Sequence, residues 1–520
     1  MALGSRPAAV RLVAHFISPK LDERRDMTTA HTTPHAAEEP RQTLPEGCPF
    51  AAAATAGPAG VPGAAGSPSA TTAVPPRAPG EAMASATPVE PGVPMGLDGS
   101  TALGAPAAPG PPTGPGTPAR PAVPATPPPP ARSAPPARSA RTAAARRRDR
   151  RVYTAAHPVL FALLAVARHK PVLRIGRTVL VHDADALRHA LTRLPLDRTA
   201  AGTTGRAARS ALDPGDAAPT GGVLFDQQGA AHRAARRGLA DGLSAAGVAR
   251  LRPLWQDTLA RGLAPLAEGR DVDLVALARE AAGITACALL GVDADPLRLA
   301  DAAADAAAAA VREHLPSLPR PWARSRTAAV DAARRLRDVL HEPGRDRAED
   351  AAARAMLAVA SVTTVVAALP RAAAWCADAG WWDRAADDTS RPALARELLR
   401  VTAPSPLLPR VAAEPGTLGG RPVRAGDRLL LVARHAVRAH TDDPDCRHPA
   451  EPALSQLVFG AGPHACPGAR LATAQLEDFL NALAPYRPVV VRARADRRAA
   501  LPGWRSLVVR PGATPAPEPA

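Results

Sequence analysis

From about residue 152 to residue 511, apolar and polar positions recur with the periods of regular secondary structure. Residues 171–182 alternate around Gly176, which is the pattern of a small β-hairpin. Apolar residues recur at helical spacing over 157–169, 232–243, 248–263, 272–290, 327–340, 347–368 and 469–483. A short β-prone segment follows at 428–432. The pattern therefore predicts a mainly α domain with small β-sheets.

The N-terminal part of the chain shows almost no such period from about residue 51 to residue 137. The stretch 51–137 is mostly Ala, Pro, Gly and Thr and contains the four consecutive prolines 127–130, and aromatic residues make up only 3% of the chain. Such a segment cannot bury enough apolar surface to offset its conformational entropy. We therefore expect residues 1–150 to form a disordered tail, residues 151–511 a single domain and residues 512–520 a disordered C-terminus. Met27 would serve as an ordinary start, so 1–26 is a candidate mis-annotated start.

The chain carries 64 Lys and Arg against 48 Asp and Glu, a net charge of +16, and only Lys20 and Lys170 are lysines. Arginine this dominant indicates codon bias rather than selection for binding. Within residues 132–151, eight arginines and one aspartate give a local charge of +7. We interpret this run as a solvated linker, with acidic lipid or an acidic electron donor as alternative contacts. It has no interleaved aromatic residues for base stacking, so we expect no nucleic-acid partner.

Five cysteines are spread along the chain without the spacing of a disulfide framework, which indicates a reducing compartment. No run reaches the roughly 18 apolar residues that a membrane span requires. Arg11 and His15 interrupt the first apolar stretch, so it does not resemble a signal peptide. We expect a cytoplasmic monomer without a membrane span.

The segment 459–472 holds the chemistry that the sequence indicates best. Gly460 and Gly462 allow a tight turn, Cys466 lies just before a predicted helix, and Gly468 removes a side chain beside it. The positive end of that helix would stabilise a thiolate, the form that binds metal or attacks an electrophile. A buried apolar cysteine beside a glycine-rich turn is the alternative.

This loop reads F-x-x-G-x-x-x-C-x-G from Phe459 to Gly468, with a histidine two residues before the cysteine, and it resembles the haem-binding loop of the cytochrome P450 family. The resemblance implies the fold of that family, haem b as the cofactor and Cys466 as the thiolate ligand of its iron. The cofactor contacts that it implies in this loop are Phe459, Gly460, His464, Cys466 and Gly468.

Glu397 and Arg400 are three residues apart on a predicted helix, where they can pair. A solvated surface pair is the ordinary interpretation. Their position 69 residues before the cysteine resembles the family's E-x-x-R helix, whose buried ion pair supports the haem loop. The family's third partner is an arginine shortly before the loop, and Arg447 is the candidate here, although Cys446-Arg447-His448-Pro449 departs from the usual aromatic-Asp pattern.

His232 and Arg236 are four residues apart on another predicted helix and can together hold an anion. The family resemblance makes that anion a haem propionate, with Arg410 and His464 as further propionate partners. An exposed basic helix face is the alternative.

The long helix 347–368 departs from the family pattern, which has a glycine and an acid before a threonine. The chain reads Ala360-Ser361-Val362-Thr363-Thr364, so an alanine and a valine replace the first two. Thr363, with Ser361 and Thr364, is the candidate for handling protons, which otherwise need a titratable group or water. A hydroxyl bonded to its own helix backbone is the alternative. Pro370 is expected to break the helix soon afterwards.

A zinc site at Cys446, His448, His464 and Cys466 is the competing metal hypothesis. A single residue separates the two ligands of each pair, which does not favour a zinc chelate. The pair Cys48-Pro49 could sense haem, although chance in so proline-rich a region explains it better.

The resemblance implies a monooxygenase that inserts one oxygen atom from O2 into an organic small molecule. No flavin or nicotinamide motif occurs in the chain, so a ferredoxin and a ferredoxin reductase would supply the electrons. Two alternatives stay open: a degenerate haem- or ligand-binding protein without this activity, and a variant that uses peroxide.

Overall fold

The computed structural model describes residues 140–206, 209, 224–314, 325–341 and 348–512. The predicted tail up to residue 139 and the C-terminus from residue 513 lie outside these residues. The α-helices, α1 to α14 in chain order, are Ala140–Ala156, Pro158–Ala167, Ala184–Thr192, Gly229–Leu243, Ala245–Ala267, Leu274–Leu290, Pro296–His314, Ser325–Leu340, Ala348–Ala379, Trp382–Ala386, Arg391–Thr402, Ala433–Ala436, Pro452–Ser455 and Ala469–Leu483. The strands, β1 to β10, are Val172–Ile175, Thr178–Val181, Leu196–Asp197, Val272–Asp273, Leu408–Ala412, Gly416–Leu418, Arg421–Val423, Arg428–Leu431, Val489–Ala495 and Trp504–Arg510.

The largest sheet has the strand order β1-β2-β8-β5-β3. Its first two strands form the predicted hairpin, which turns at Gly176 with a φ of 58°. Strand β2 pairs in parallel with β8, and the other neighbours are antiparallel. Apolar side chains of this sheet form a second core together with α3. The sheet matters for function because β5 and the end of β3 each carry an arginine that enters the candidate site.

The main core is helical, and α5, α6, α9, α11 and α14 contribute most of its buried apolar side chains. A three-stranded sheet, β4-β10-β9, packs along it. The prediction of a mainly α domain with small sheets is therefore confirmed.

Helix α9 is longer than the sequence predicted, since Pro370 does not break it and the helix continues to Ala379. An internal proline costs about 3 kcal/mol in a helix. Here the residues that follow it, including Ala372, Ala373, Trp375 and Cys376, are buried in the core, and their burial offsets that cost. The segment Ala351–Ala379 is long and apolar enough to cross a membrane by composition alone, yet it contains the fully buried Arg371 and packs against other helices.

Helix α1 begins at Ala140, eleven residues before the predicted domain boundary. Residues 140–151 are therefore not the solvated linker that their charge suggested. Arg146 pairs with Asp443 and donates 3.2 Å to the carbonyl of Ala439, and Arg148 pairs with Asp378 at 2.6 Å. These arginines are part of the folded domain because they form ion pairs with carboxylates that are distant in the sequence. A count of charges along the chain does not predict such pairs.

The centre of this contact is the buried Arg371 of α9. Its guanidinium donates to Asp149 at 2.8 Å and to the hydroxyl of Tyr153 at 2.6 Å. Tyr153 in turn donates to the carbonyl of Thr402, and the guanidinium of Arg434 lies 3.8 Å from the Tyr153 ring centroid. Burial alone would lower the pKa of Arg371, but Asp149 and Tyr153 outweigh it and raise that pKa. Helix α1 is thus a structural part of the domain.

Replacing Asp149 with Ala should lower the free energy of unfolding by about 3–5 kcal/mol, because the buried Arg371 loses its counter-charge. Urea and thermal unfolding would measure the change. The matched control is Asp241→Ala, which breaks the exposed pair with Arg250 and should cost less than about 1 kcal/mol. Equal losses in the two variants would contradict a structural role for α1.

Candidate functional site

The cysteine loop is built by two glycines with left-handed backbones. Gly460 has a φ of 77° and Gly462 a φ of 70°, conformations that L side chains rarely adopt. A side chain at Gly462 would also meet the carbonyl oxygen of Leu191 at 3.0 Å. These turns bring the N–H of Cys466 to 2.7 Å from the carbonyl oxygen of Phe459. The loop therefore fixes Cys466 just before α14, which begins at Ala469.

Cys466 is exposed at the surface of the loop, while neighbouring protein atoms surround its sulfur. Burial of the sulfur raises the pKa of the thiol, while the N–H of Gly468 and the charge of Arg236 lower it. The burial effect is the larger, so the isolated thiol is not pre-ionised. A bound cation would reverse this balance, because metal coordination deprotonates a thiol.

Cationic and neutral donors converge beside this loop. The rings of His232 and His464 stack with centroids 3.8 Å apart. Arg236, one turn after His232 on α4, donates to the carbonyl of Ala465. Arg410 on β5 donates to the hydroxyl of Thr204 at 2.9 Å. The structure thus brings together all four residues that the resemblance named as propionate partners.

A fifth member, Arg198, was missed from the sequence. It is buried and follows β3, whose Asp197 pairs in register with Val411, the residue after Arg410. Its charge acts on the pKa of His232, Arg410 and His464. Arg198 could have been found only from the pairing of β3 with β5, which places it near Arg410. A strand of two residues has no sequence pattern that predicts this pairing.

The positive charges of this cluster repel one another and so disfavour protonation of its members. The pKa of His464 falls to about 3, first because of burial and then because of Arg198, His232, Arg410 and Arg236. Burial and Arg198 lower the pKa of Arg410 to about 10. The Nε of Arg410 is buried and has no hydrogen-bond partner among the described residues. Such a donor set suits an anion with more than one carboxylate, which is what the two propionates of haem present next to the iron. The residues present therefore fit haem.

The pair Glu397 and Arg400 lies behind the loop and is fully buried, with side-chain exposures of 1% and 2%. Arg400 donates to Glu397 at 2.6 Å and to the carbonyls of Val437 and Asp443. The backbone N–H groups of Asp445 and Ala450 donate to the two carboxylate oxygens. The surface-pair alternative does not apply, because every atom of this ion pair is engaged with protein.

Arg447 does not complete this network, contrary to the sequence prediction. Its side chain is exposed, and its backbone N–H donates to Asp445. Backbone amides and carbonyls of the segment 437–450 take the place of the third side chain. Among the described residues, no group of three or more His, Cys, Asp or Glu side chains could hold a metal ion, so the zinc hypothesis gains no support.

The candidate hydroxyls of α9 are all engaged within the helix. Ser361 donates to the carbonyl of Leu357 at 2.7 Å, Thr363 to Val359 at 2.6 Å and Thr364 to Ala360 at 2.8 Å. This is the ordinary alternative that the sequence left open. Each oxygen can still accept a hydrogen bond. Val362 is 1% exposed and belongs to the main core.

Comparison with known proteins agrees with this site. Residues 392–484, which include Glu397, Arg400 and Cys466, match the family model described as Cytochrome P450. The chain is 36% identical over 132 residues to a vitamin D3 dihydroxylase from Streptomyces griseolus, covering 25% of this chain and 30% of that protein. It is 38% identical over 97 residues to an erythromycin C-12 hydroxylase from Saccharopolyspora erythraea, covering 18% of this chain and 24% of that protein.

Solved structures extend the match to the whole fold. A mutant of P450 EryK in complex with erythromycin B aligns with a TM-score of 0.55 at 21% identity, covering 70% of this chain and 99% of that one. CYP164A2 from Mycobacterium smegmatis aligns with a TM-score of 0.54 at 23% identity, covering 69% and 97%.

Residues 392–484 are thus similar in sequence to the Cytochrome P450 family, and the described domain has the fold of solved cytochromes P450. Members of this family bind haem b through a cysteine thiolate. The aligned segments span less than a third of each of the two curated relatives, although the fold spans nearly all of the solved neighbours.

The depressed pKa of His464 predicts a pH dependence. Its folded pKa of about 3 lies below the ordinary 6.5, so the native state favours the neutral ring. The stability it contributes is complete above about pH 6.5 and is lost as the pH falls towards 3. In cofactor-free protein, His464→Asn should therefore lose less melting temperature between pH 7 and pH 5 than the wild type. The exposed His169→Asn is the control and should keep the wild-type slope. Identical slopes for all three proteins would contradict the prediction.

Proposed function

We propose that the protein is a haem-thiolate monooxygenase, which inserts one oxygen atom of O2 into an organic small molecule and reduces the other to water. The observation that carries this proposal is Cys466, fixed by Gly460 and Gly462 before a helix and flanked by a cluster of arginine and histidine donors, none of which pairs with a carboxylate among the described residues. That arrangement suits a thiolate ligand on one side of the loop and two carboxylates on the other.

Bound haem would supply the activation of dioxygen, which no side chain of the protein can perform alone. The residues of the chain have separate tasks. Cys466 would hold the iron as a thiolate. His232, Arg236, Arg410, His464 and the additional Arg198 bind the propionates, which would neutralise the mutual repulsion of this cluster. Glu397 and Arg400 support the cysteine loop indirectly, because they fix the segment 437–450 that leads into it.

Two protons and two electrons must reach the reacting centre for each oxygen atom inserted. Thr363, Ser361 and Thr364 are the candidates to position water, since each hydroxyl donates to the helix and retains an acceptor site. A ferredoxin and a ferredoxin reductase are the proposed electron donors, and the cytoplasm the proposed location. The unit proposed for this function includes α1, since α1 is packed into the domain.

One observation favours a second candidate function, a peroxide-using variant. Position 362 holds a buried valine in the helix segment that carries the candidate hydroxyls, and residues 359–366 include no titratable side chain. Hydrogen peroxide brings both protons and both electrons with the oxygen, so such a reaction needs no proton relay from the protein.

Cys466→Ala should abolish the thiolate-ligated haem spectrum. The wild-type protein, reduced under carbon monoxide, should show a strongly red-shifted Soret band, and the variant should lack it. Cys446→Ala is the matched control and should keep the band. A wild-type protein without bound haem would contradict the proposal, and so would a band that persists in Cys466→Ala.

Thr363→Val should affect turnover with O2 and turnover with hydrogen peroxide differently. If Thr363 positions water for O2 activation, the variant should lose about tenfold or more in turnover with ferredoxin and reductase, while turnover with hydrogen peroxide stays within about twofold. Ser361→Ala and Thr364→Val test the other hydroxyls in the same assay. Wild-type protein that turns over only with peroxide would favour the second function over the first.

A further inference from the structure

A cavity of about 250 Å3 lies between α7, α9 and the loop that joins β9 to β10. Three alanines of α7, Ala300, Ala304 and Ala308, line it at helical intervals of four and so form one smooth apolar wall. Val362, Thr363 and Val366 of α9 also line the cavity. The α7 residues that line it extend from 300 to 312, which corresponds to about 18 Å of helix. The cavity is therefore elongated, and it includes a candidate hydroxyl of the proposed reaction.

Two exposed arginines lie at one end of this groove. Arg312, on the last turn of α7, donates to the backbone carbonyl of Arg498, and both side chains line the cavity. Neither guanidinium makes an ion pair among the described residues. Asp496, which also lines the groove, accepts the backbone N–H groups of Arg498 at 2.7 Å and Ala499 at 3.1 Å through its Oδ1.

Two other charged residues that line the groove, Arg279 and Asp305, form ion pairs. Arg279 has a long ion pair with Asp301 at 3.7 Å, and Asp305 pairs with Arg335 at 3.5 Å. The indole N–H of Trp504, which also lines the groove, has no hydrogen-bond partner among the described residues, although Trp504 is only 4% exposed. A buried donor without a partner is costly, and an acceptor oxygen of a bound ligand would satisfy it.

We propose that this groove binds an elongated apolar carboxylic acid as the substrate class of the enzyme. The carboxylate lies between Arg312 and Arg498, where two guanidinium groups can form charge-assisted hydrogen bonds. The hydrocarbon body lies along the alanine wall of α7 and against Val362 and Val366 of α9. An amine would meet a like charge at Arg312 and Arg498, and an uncharged alcohol would gain no ion pair from them. The assignment of this ligand as a substrate rests on the proposed monooxygenase function, whereas its binding does not.

The test is calorimetric titration of the haem-loaded full-length protein at pH 7.5 with decanoate and with decan-1-ol, while the haem absorption is recorded. Decanoate should bind at least tenfold more tightly than decan-1-ol. The double variant Arg312→Gln/Arg498→Gln should lose at least tenfold in decanoate affinity and leave that for decan-1-ol unchanged. Arg505→Gln, an exposed arginine on β10 outside the groove, is the matched control and should bind as the wild type does.

A variant that fills the groove checks the position of the apolar body. Ala304→Leu should weaken both ligands at least fivefold, with its melting temperature measured to verify folding. Equal binding of decanoate and decan-1-ol would overturn the proposal, and so would a double variant that binds decanoate like the wild type. Decanoate binding without a change in the haem band would overturn its placement beside the reacting centre.

The same experiment distinguishes this inference from the proposed function. Thiolate-ligated haem without charge-dependent decanoate binding would refute the carboxylate groove and leave the monooxygenase proposal standing. Charge-dependent decanoate binding in a protein that holds no haem would refute the monooxygenase proposal and leave the groove standing.

Discussion

The structure depends on burying guanidinium groups that are fully compensated. Arg400 and Arg371 are both almost completely buried, and each is held by a carboxylate together with further oxygen acceptors. A buried charge without such partners would cost several kcal/mol, so the segments that supply the partners cannot move independently. Arg400 fixes the chain before the cysteine loop through Val437 and Asp443. Arg371 fixes α1 against α9, and the two networks meet where Arg146 of α1 pairs with the carboxylate of Asp443.

In the candidate cofactor site, by contrast, the buried cationic groups lack carboxylate partners among the described residues. Arg198, Arg410 and the stacked pair His232 and His464 lie close together, and none of them pairs with a carboxylate in the described part of the chain. Burial lowers all four pKa values, and charged neighbours lower those of Arg410, His232 and His464 further. A folded protein tolerates such a cluster when function requires it, and a ligand with negative charge then recovers the electrostatic cost on binding. Compensated arginines thus build the frame, and uncompensated ones form the candidate anion site.

Much of this could be predicted from the sequence, for physical reasons that differ between residues. The helices, the hairpin and the Cys466 loop depend on local periodicity and on glycines with positive φ, so the printed sequence contains them. Glu397 and Arg400 are close in sequence, and their spacing places them on one helix face. Arg198, the true partners of Arg400 and the role of α1 depend on contacts between segments more than 35 residues apart in the chain, which no local pattern encodes. Pro370 was misjudged because core packing outweighs a local helix-breaking preference.

Helix α9 links these parts of the molecule. Thr363 and the buried Arg371 are eight residues apart on this helix, about 12 Å along its axis. Because Arg371 is bonded to Asp149 and Tyr153, α1 fixes the position of α9 both along and around its axis. This also fixes the face of α9 on which Val362, Thr363 and Val366 line the groove. Asp149 and Tyr153, in and just after the charged run that resembled a linker, therefore determine how the helix with the candidate hydroxyls is presented to a ligand.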